Sequence, residues 1–155
     1  MPGPLTNLTL TLPKRSGRLR VVALVYGAIL LLWSSLEDNS ILPVALLSAG
    51  LALLIMTFVV TGRFGGRTFA GRSALFGAAL VGALSGLIAA LAAAVLMLVK
   101  DGLHSDLYPD YPFGLIVETL ARAPLWSLAG IFAGIGLLLA WWALSSNRRN
   151  TGNAK

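Results

Sequence analysis

The sequence predicts an all-α polytopic membrane protein, with four transmembrane helices in an antiparallel bundle and a short interfacial helix before the last span. Three observations predict it. The 155 residues are 57% hydrophobic and 12% charged, with a mean hydropathy of +0.82, too apolar for an ordinary soluble domain. Residues 21–36, 41–61, 74–99 and 124–144 carry no charged side chain, and each segment is close to the ~20 apolar residues that cross ~30 Å of hydrocarbon. Backbone groups in lipid must be bonded internally, so such segments are helices, and the alternating pattern of barrel strands is absent. Finally, all six acidic residues fall in connections on one side of these segments, and ten of the twelve basic residues fall on the other.

That sorting predicts the orientation. Lys14, Arg15, Arg18 and Arg20 precede the first span, Arg63, Arg67 and Arg72 join the second to the third, and Arg148, Arg149 and Lys155 follow the fourth. The bias puts both termini on the cytoplasmic side of the cell membrane, with Arg63, Arg67 and Arg72 at lipid headgroups. Glu37, Asp38, Asp101, Asp106, Asp110 and Glu118 then face outward, joined there only by Lys100 and Arg122. A net charge of +6 does not indicate nucleic acid, because orientation alone accounts for basic residues that flank spans.

Residues 1–20 form an N-terminal arm. Its run Leu8–Leu12 alternates apolar and hydroxyl side chains at strand period, which predicts either a mobile terminus, the preferred reading, or a strand that pairs with a partner. The basic stretch before the first span resembles a secretory leader, but Ser34-Ser35-Leu36-Glu37 offers no good cleavage site, so an uncleaved span is expected. The first connection is very short, which makes the first two spans a hairpin. Pro43 falls in the first turn of the second span, where its missing N–H costs little. Trp33 and Trp126 are expected at the outer interface, Trp141 and Trp142 at the inner one.

In the third span Ala74, Ala78, Gly82, Gly86, Ala90 and Ala94 recur every four residues. They make a ridge of small side chains that allows close helix approach, and Gly130 and Gly134 in the fourth span supply a counterpart. Packing within the chain is preferred to docking of another subunit, although either use fits. At ~1.5 Å per residue the third span is about 39 Å long and must tilt or project. The outer loop, residues 100–123, holds Phe113, Ile116, Val117 and Leu120 at helical spacing, with Glu118 and Arg122 placed for an i, i+4 pair. Pro112 opens this short interfacial helix and Pro124 divides it from the fourth span. Residues 145–155 form a basic tail.

Little of this carries chemistry. Gly66-Arg67-Thr68-Phe69-Ala70-Gly71-Arg72-Ser73 is one substitution from a phosphate-binding loop, but arginine replaces the lysine and a membrane helix precedes it. The segment is read as a flexible turn, with Ser73 capping the third span. His104, Asp106 and Asp110 are weak candidates for an external metal or proton site, with Asp101 and Glu118 nearby. With one histidine and no cysteine, a bis-histidine haem and thiolate sites are excluded, and no cofactor is identified. The spans offer only scattered hydroxyls, without the intramembrane charges of a transport pathway.

The expected role is a non-catalytic accessory or structural subunit of a larger membrane complex, bound to lipids and to other subunits or copies of itself through small-residue faces. A small oligomeric transporter or pore is the alternative, and an enzyme acting at the outer face, with His104 and either Asp106 or Asp110 as the acid–base pair, ranks third. The orientation is directly testable. A cysteine replacing Asp106 should react with an impermeant thiol reagent outside intact cells, and one replacing Thr68 should not; the reverse pattern inverts the topology.

Overall fold

The computed structural model describes residues 9–36, 40–103 and 109–152, the stretch 146–152 by its backbone alone. In chain order the elements are strand β1 (Thr9–Thr11), helices α1 (Gly17–Ser34) and α2 (Ile41–Phe64), strand β2 (Thr68–Ala70), and helices α3 (Gly71–Leu103), α4 (Phe113–Ala121) and α5 (Ala123–Gly152). The chain is mostly helical, and α1, α2, α3 and α5 are long and apolar enough to cross a membrane.

All four long helices overrun the expected spans. α1 begins at Gly17 rather than Val21, α2 continues to Phe64, α3 covers Gly71–Leu103, and α5 runs on to Gly152 through the expected tail. A helix need not stop where the hydrocarbon stops; it continues until a breaker intervenes. The Gly65-Gly66 pair ends α2, with Gly66 at φ +83°, a conformation that suits glycine. No proline lies in 145–152 to end α5. At ~1.5 Å per residue, the 33 residues of α3 extend about 50 Å.

Helix α3 is the central element and packs on α2, α4, α5 and both strands. Its contact with α5 is backbone on backbone. A Cβ added to Gly82 would overlap the Gly130 carbonyl, one on Gly86 would overlap the Trp126 carbonyl, and one on Gly134 would overlap the Ala78 carbonyl. Ser127 Oγ donates to the Ala83 carbonyl at 3.1 Å across the same seam. Toward α2, a second stripe of α3 is buried, Ser85, Ala89, Ala93 and Met97, while α2 buries Val44, Ser48, Ala52 and Met56 at four-residue spacing.

Helix α1 is held far more lightly. Trp33 is its only buried residue, and the Tyr26 hydroxyl donates to the Leu47 carbonyl of α2, where Gly50 leaves room for the phenol. Val21, Val22, Leu24, Val25, Leu31 and Leu32 are exposed.

Two expectations about the N-terminal arm and the turn before α3 are corrected. Thr9–Thr11 is not a mobile terminus: it pairs antiparallel with β2 of the same chain, Leu10 opposite Phe69. A ribbon this small is marginal alone; here Leu10 and Phe69 pack on the cluster of Ala74, Leu138 and Trp142. The segment expected to be a flexible turn therefore contains β2, and Ser73, inside the helix, donates to the Ala70 carbonyl at 2.8 Å rather than capping an N–H. Trp142 is buried in that cluster while Trp141 is exposed, so the pair does not act as one interfacial anchor.

The glycines along α3 separate into two classes, and substitution should distinguish them. Gly82→Ala or Gly86→Ala forces the backbones apart, and overpacking of this kind costs about 1–3 kcal/mol, a fall in Tm of roughly 2–12 °C for a chain of this size. Gly77→Ala, where a Cβ meets nothing within 4 Å, should leave the Tm of the protein in mild detergent unchanged or slightly raised.

Candidate functional site

Chemistry-bearing side chains gather at the two ends of the helices. At one end, the C-termini of α1 and α3 meet the N-terminus of α2 and the start of α4. Trp33, Val44, Ala93, Ala94, Met97, Tyr111 and Ile116 form a buried cluster there. Lys100 lies among them, fully buried. Its Nζ is 5.0 Å from the centre of the Trp33 ring and 5.8 Å from that of Tyr111. Burying an amine costs free energy unless it is compensated, and each cation–π contact of a desolvated lysine returns up to about 2 kcal/mol.

The segment after α3 is fastened to the same cluster. Asp101 Oδ1 accepts the Tyr111 N–H at 3.0 Å, and the Tyr111 hydroxyl reaches the Ser40 carbonyl at 3.4 Å. Lys100, expected at the start of the outer loop, thus lies in the last turn of α3 and is buried. It continues the buried stripe of Ala89, Ala93 and Met97 by one further helical step, a spacing present in the sequence. Trp33, expected at a headgroup interface, forms one wall of this lysine's enclosure.

Of the candidate metal or proton set, His104 and Asp106 lie outside the described residues, as do Glu37 and Asp38. Asp110 is partly buried, and Asp101 is engaged with the backbone of Tyr111. Among the described residues, no three Asp, Glu or His side chains come together. Glu118 pairs with Arg122 on the exposed side of α4.

At the other end the ribbon, the last turns of α2 and the first turns of α3 carry the basic residues. The Arg15 guanidinium lies 4.5 Å from the Phe58 ring centre, and that of Arg67 lies 5.8 Å from Phe64. Arg63, Arg67 and Arg72 are exposed. The segment resembling a phosphate loop spends its backbone donors within the chain: Gly66 N–H on the Leu12 carbonyl at 2.9 Å and Arg67 N–H on Phe64 at 3.1 Å. Beneath the ribbon is a groove of about 280 Å³, walled by α2 and α3, which the sequence reading missed because the ribbon that roofs it joins residues far apart in the chain.

Within the spans, hydroxyls are spent on backbone carbonyls. Ser48 bonds to Ala45, Thr57 to Leu53 and Ser85 to Val81, and Ser127 bonds across the seam. The small residues expected to pack or dock, Ala78, Gly82, Gly86, Gly130 and Gly134, face one another inside the chain, and Ala90 is fully buried.

These features define an integral membrane protein with a mostly apolar interior. Comparison with protein-family models, curated proteins and solved structures yields no match.

The enclosure of Lys100 has a chemical readout. With an amine-reactive ester in mild detergent, Lys14 should be modified readily and Lys100 should not, read by peptide mass spectrometry. Trp33→Ala should expose Lys100 to the reagent and destabilise the protein by about 3–5 kcal/mol, the usual cost of deleting a buried tryptophan.

Proposed function

We propose that the protein is a non-catalytic accessory subunit of a larger assembly in the cell membrane. Its four long helices form an antiparallel bundle, with both termini and the β1–β2 ribbon on the cytoplasmic side. The α3–α5 register, in which Ala78 meets Gly134 and Gly86 meets Trp126, supports opposed directions for these two helices. The distribution of basic residues supports the orientation. In this arrangement α4 lies along the outer surface, exposing Phe113 and Val117 toward the headgroup region, and Arg63, Arg67 and Arg72 contact headgroups on the inner side.

The observation that carries the subunit reading is the light attachment of α1. A helix with one buried residue leaves a long apolar side free, and a neighbouring membrane helix is a natural cover for it. Docking, expected first of the small-residue faces, falls in this reading to α1, because those faces are occupied by the chain's own helices. The satisfied hydroxyls within the spans favour a structural role over an oligomeric pore, since they leave few groups to replace water around a solute.

Native mass spectrometry of the protein extracted from its own membranes in mild detergent tests this reading. A defined heteromeric mass is expected, lost when Leu24 and Leu31 on the exposed side of α1 are replaced by tryptophan. A monomer or pure homo-oligomer, unaffected by those changes, contradicts it and moves transport to the front.

A further inference from the structure

The basic end of the helices holds a feature that orientation does not explain. The groove of about 280 Å³ is lined by Leu10 of β1 and Leu12 just after it, Phe69 of β2, Val60 and Phe64 of α2, and the face of α3 from Ser73 to Val81. That face is about 12 Å long at ~1.5 Å per residue. Leu80 on the rim is exposed, so the groove opens sideways, and Gly77 leaves empty space where a side chain would stand. Among the described lining residues Ser73 brings the only polar side chain, and its hydroxyl is already bonded to Ala70. A polar metabolite would find almost no partner there and would lose its hydration.

The rim has the opposite character. Arg67 lies above the ring of the lining residue Phe64, the exposed Arg63 and Arg72 are next in sequence to the lining residues Phe64 and Ser73, and the Lys14 side chain lies against Gly66. No acidic residue occurs in 9–20 or 60–81. An apolar slot beneath a one-sign basic rim matches a molecule with an apolar tail and an anionic head.

We propose that the groove is a specific binding site for an anionic phospholipid, with one acyl chain between α2 and α3 under the ribbon and the phosphate on Arg67 and Arg72. This deepens the headgroup contact proposed above for the arginines, and it holds whether or not the protein is a subunit of a complex. The ribbon gains a role in it: Leu10 and Leu12 roof the chain, and the turn between α2 and β2 sets Arg67 over the opening. Arginine suits the task because its planar guanidinium binds phosphate oxygens in pairs.

The test uses the full chain in mild detergent, titrated with phosphatidylglycerol or with phosphatidylcholine of the same acyl chains, and reads retained lipid by native mass spectrometry. One phosphatidylglycerol should be retained at saturation, preferred over phosphatidylcholine about thirtyfold, as expected of two arginines near an anionic head at about 1 kcal/mol each. Gly77→Leu fills the groove and should remove the saturable adduct of both lipids while the melting temperature holds; Val60→Phe, from the other wall, repeats the test should the first variant fail to fold. Arg67→Gln with Arg72→Gln should remove the preference and leave weaker binding of either lipid. If the arginine changes abolish the preference but neither groove variant alters retention, headgroup contact stands and the groove site is overturned. A non-saturating ladder of adducts, the same in every variant, overturns both.

Discussion

The structure depends on how closely two backbones can approach. Where α3 crosses α5, Gly82 meets Gly130, Gly86 meets the Trp126 carbonyl and Gly134 meets the Ala78 carbonyl, leaving no space for even a methyl group. In lipid there is little hydrophobic drive to bring apolar helices together, so dispersion between closely apposed surfaces must do so. Glycine supplies the surface with the least relief. Since α3 also contacts α2, α4 and both strands, those elements are placed against it, and α1 is placed mainly against α2.

The two ends of α3 are finished by different chemistry. At its C-terminal end, Lys100 between Trp33 and Tyr111 joins α1 to α3, and Asp101 ties in the segment leading to α4. At its N-terminal end, the ribbon folds over Ala74 and Trp142 and brings arginines to the mouth of an apolar groove. Between them, serine and threonine hydroxyls turn back onto carbonyl oxygens. The polar chemistry of the described residues is thus concentrated at the two ends of α3, a helix about 50 Å long.

Much of the helical architecture was legible from the sequence because charge-free length is a direct signal of a span. The Gly130–Gly134 spacing and the four-residue ridge in α3 were equally visible, since helical periodicity places such residues on one face. The short helix α4 was readable from Phe113, Ile116, Val117 and Leu120, and the pair of Glu118 with Arg122 from its spacing. The helices run beyond the charge-free segments, because charge marks where hydrocarbon stops rather than where hydrogen bonding stops. The ribbon was undervalued, since Leu8–Leu12 shows strand alternation without showing that its partner lies some sixty residues on, at Thr68–Ala70. The burial of Lys100 is hidden for a related reason: a lysine beside Asp101 reads as the start of a loop unless the helix is known to continue past it and the aromatic rings of Trp33 and Tyr111 are known to converge on it.

The most direct test of this account asks whether the α3–α5 seam closes within one chain. The absence of native cysteine allows Ala74→Cys and Leu138→Cys to be introduced together, at positions that share the Trp142 cluster, and oxidised mildly in native membranes. The account predicts a disulfide within the monomer, seen as a loss of about two mass units and of maleimide reactivity with the chain still monomeric. A covalent dimer, or two cysteines that remain free, would contradict it.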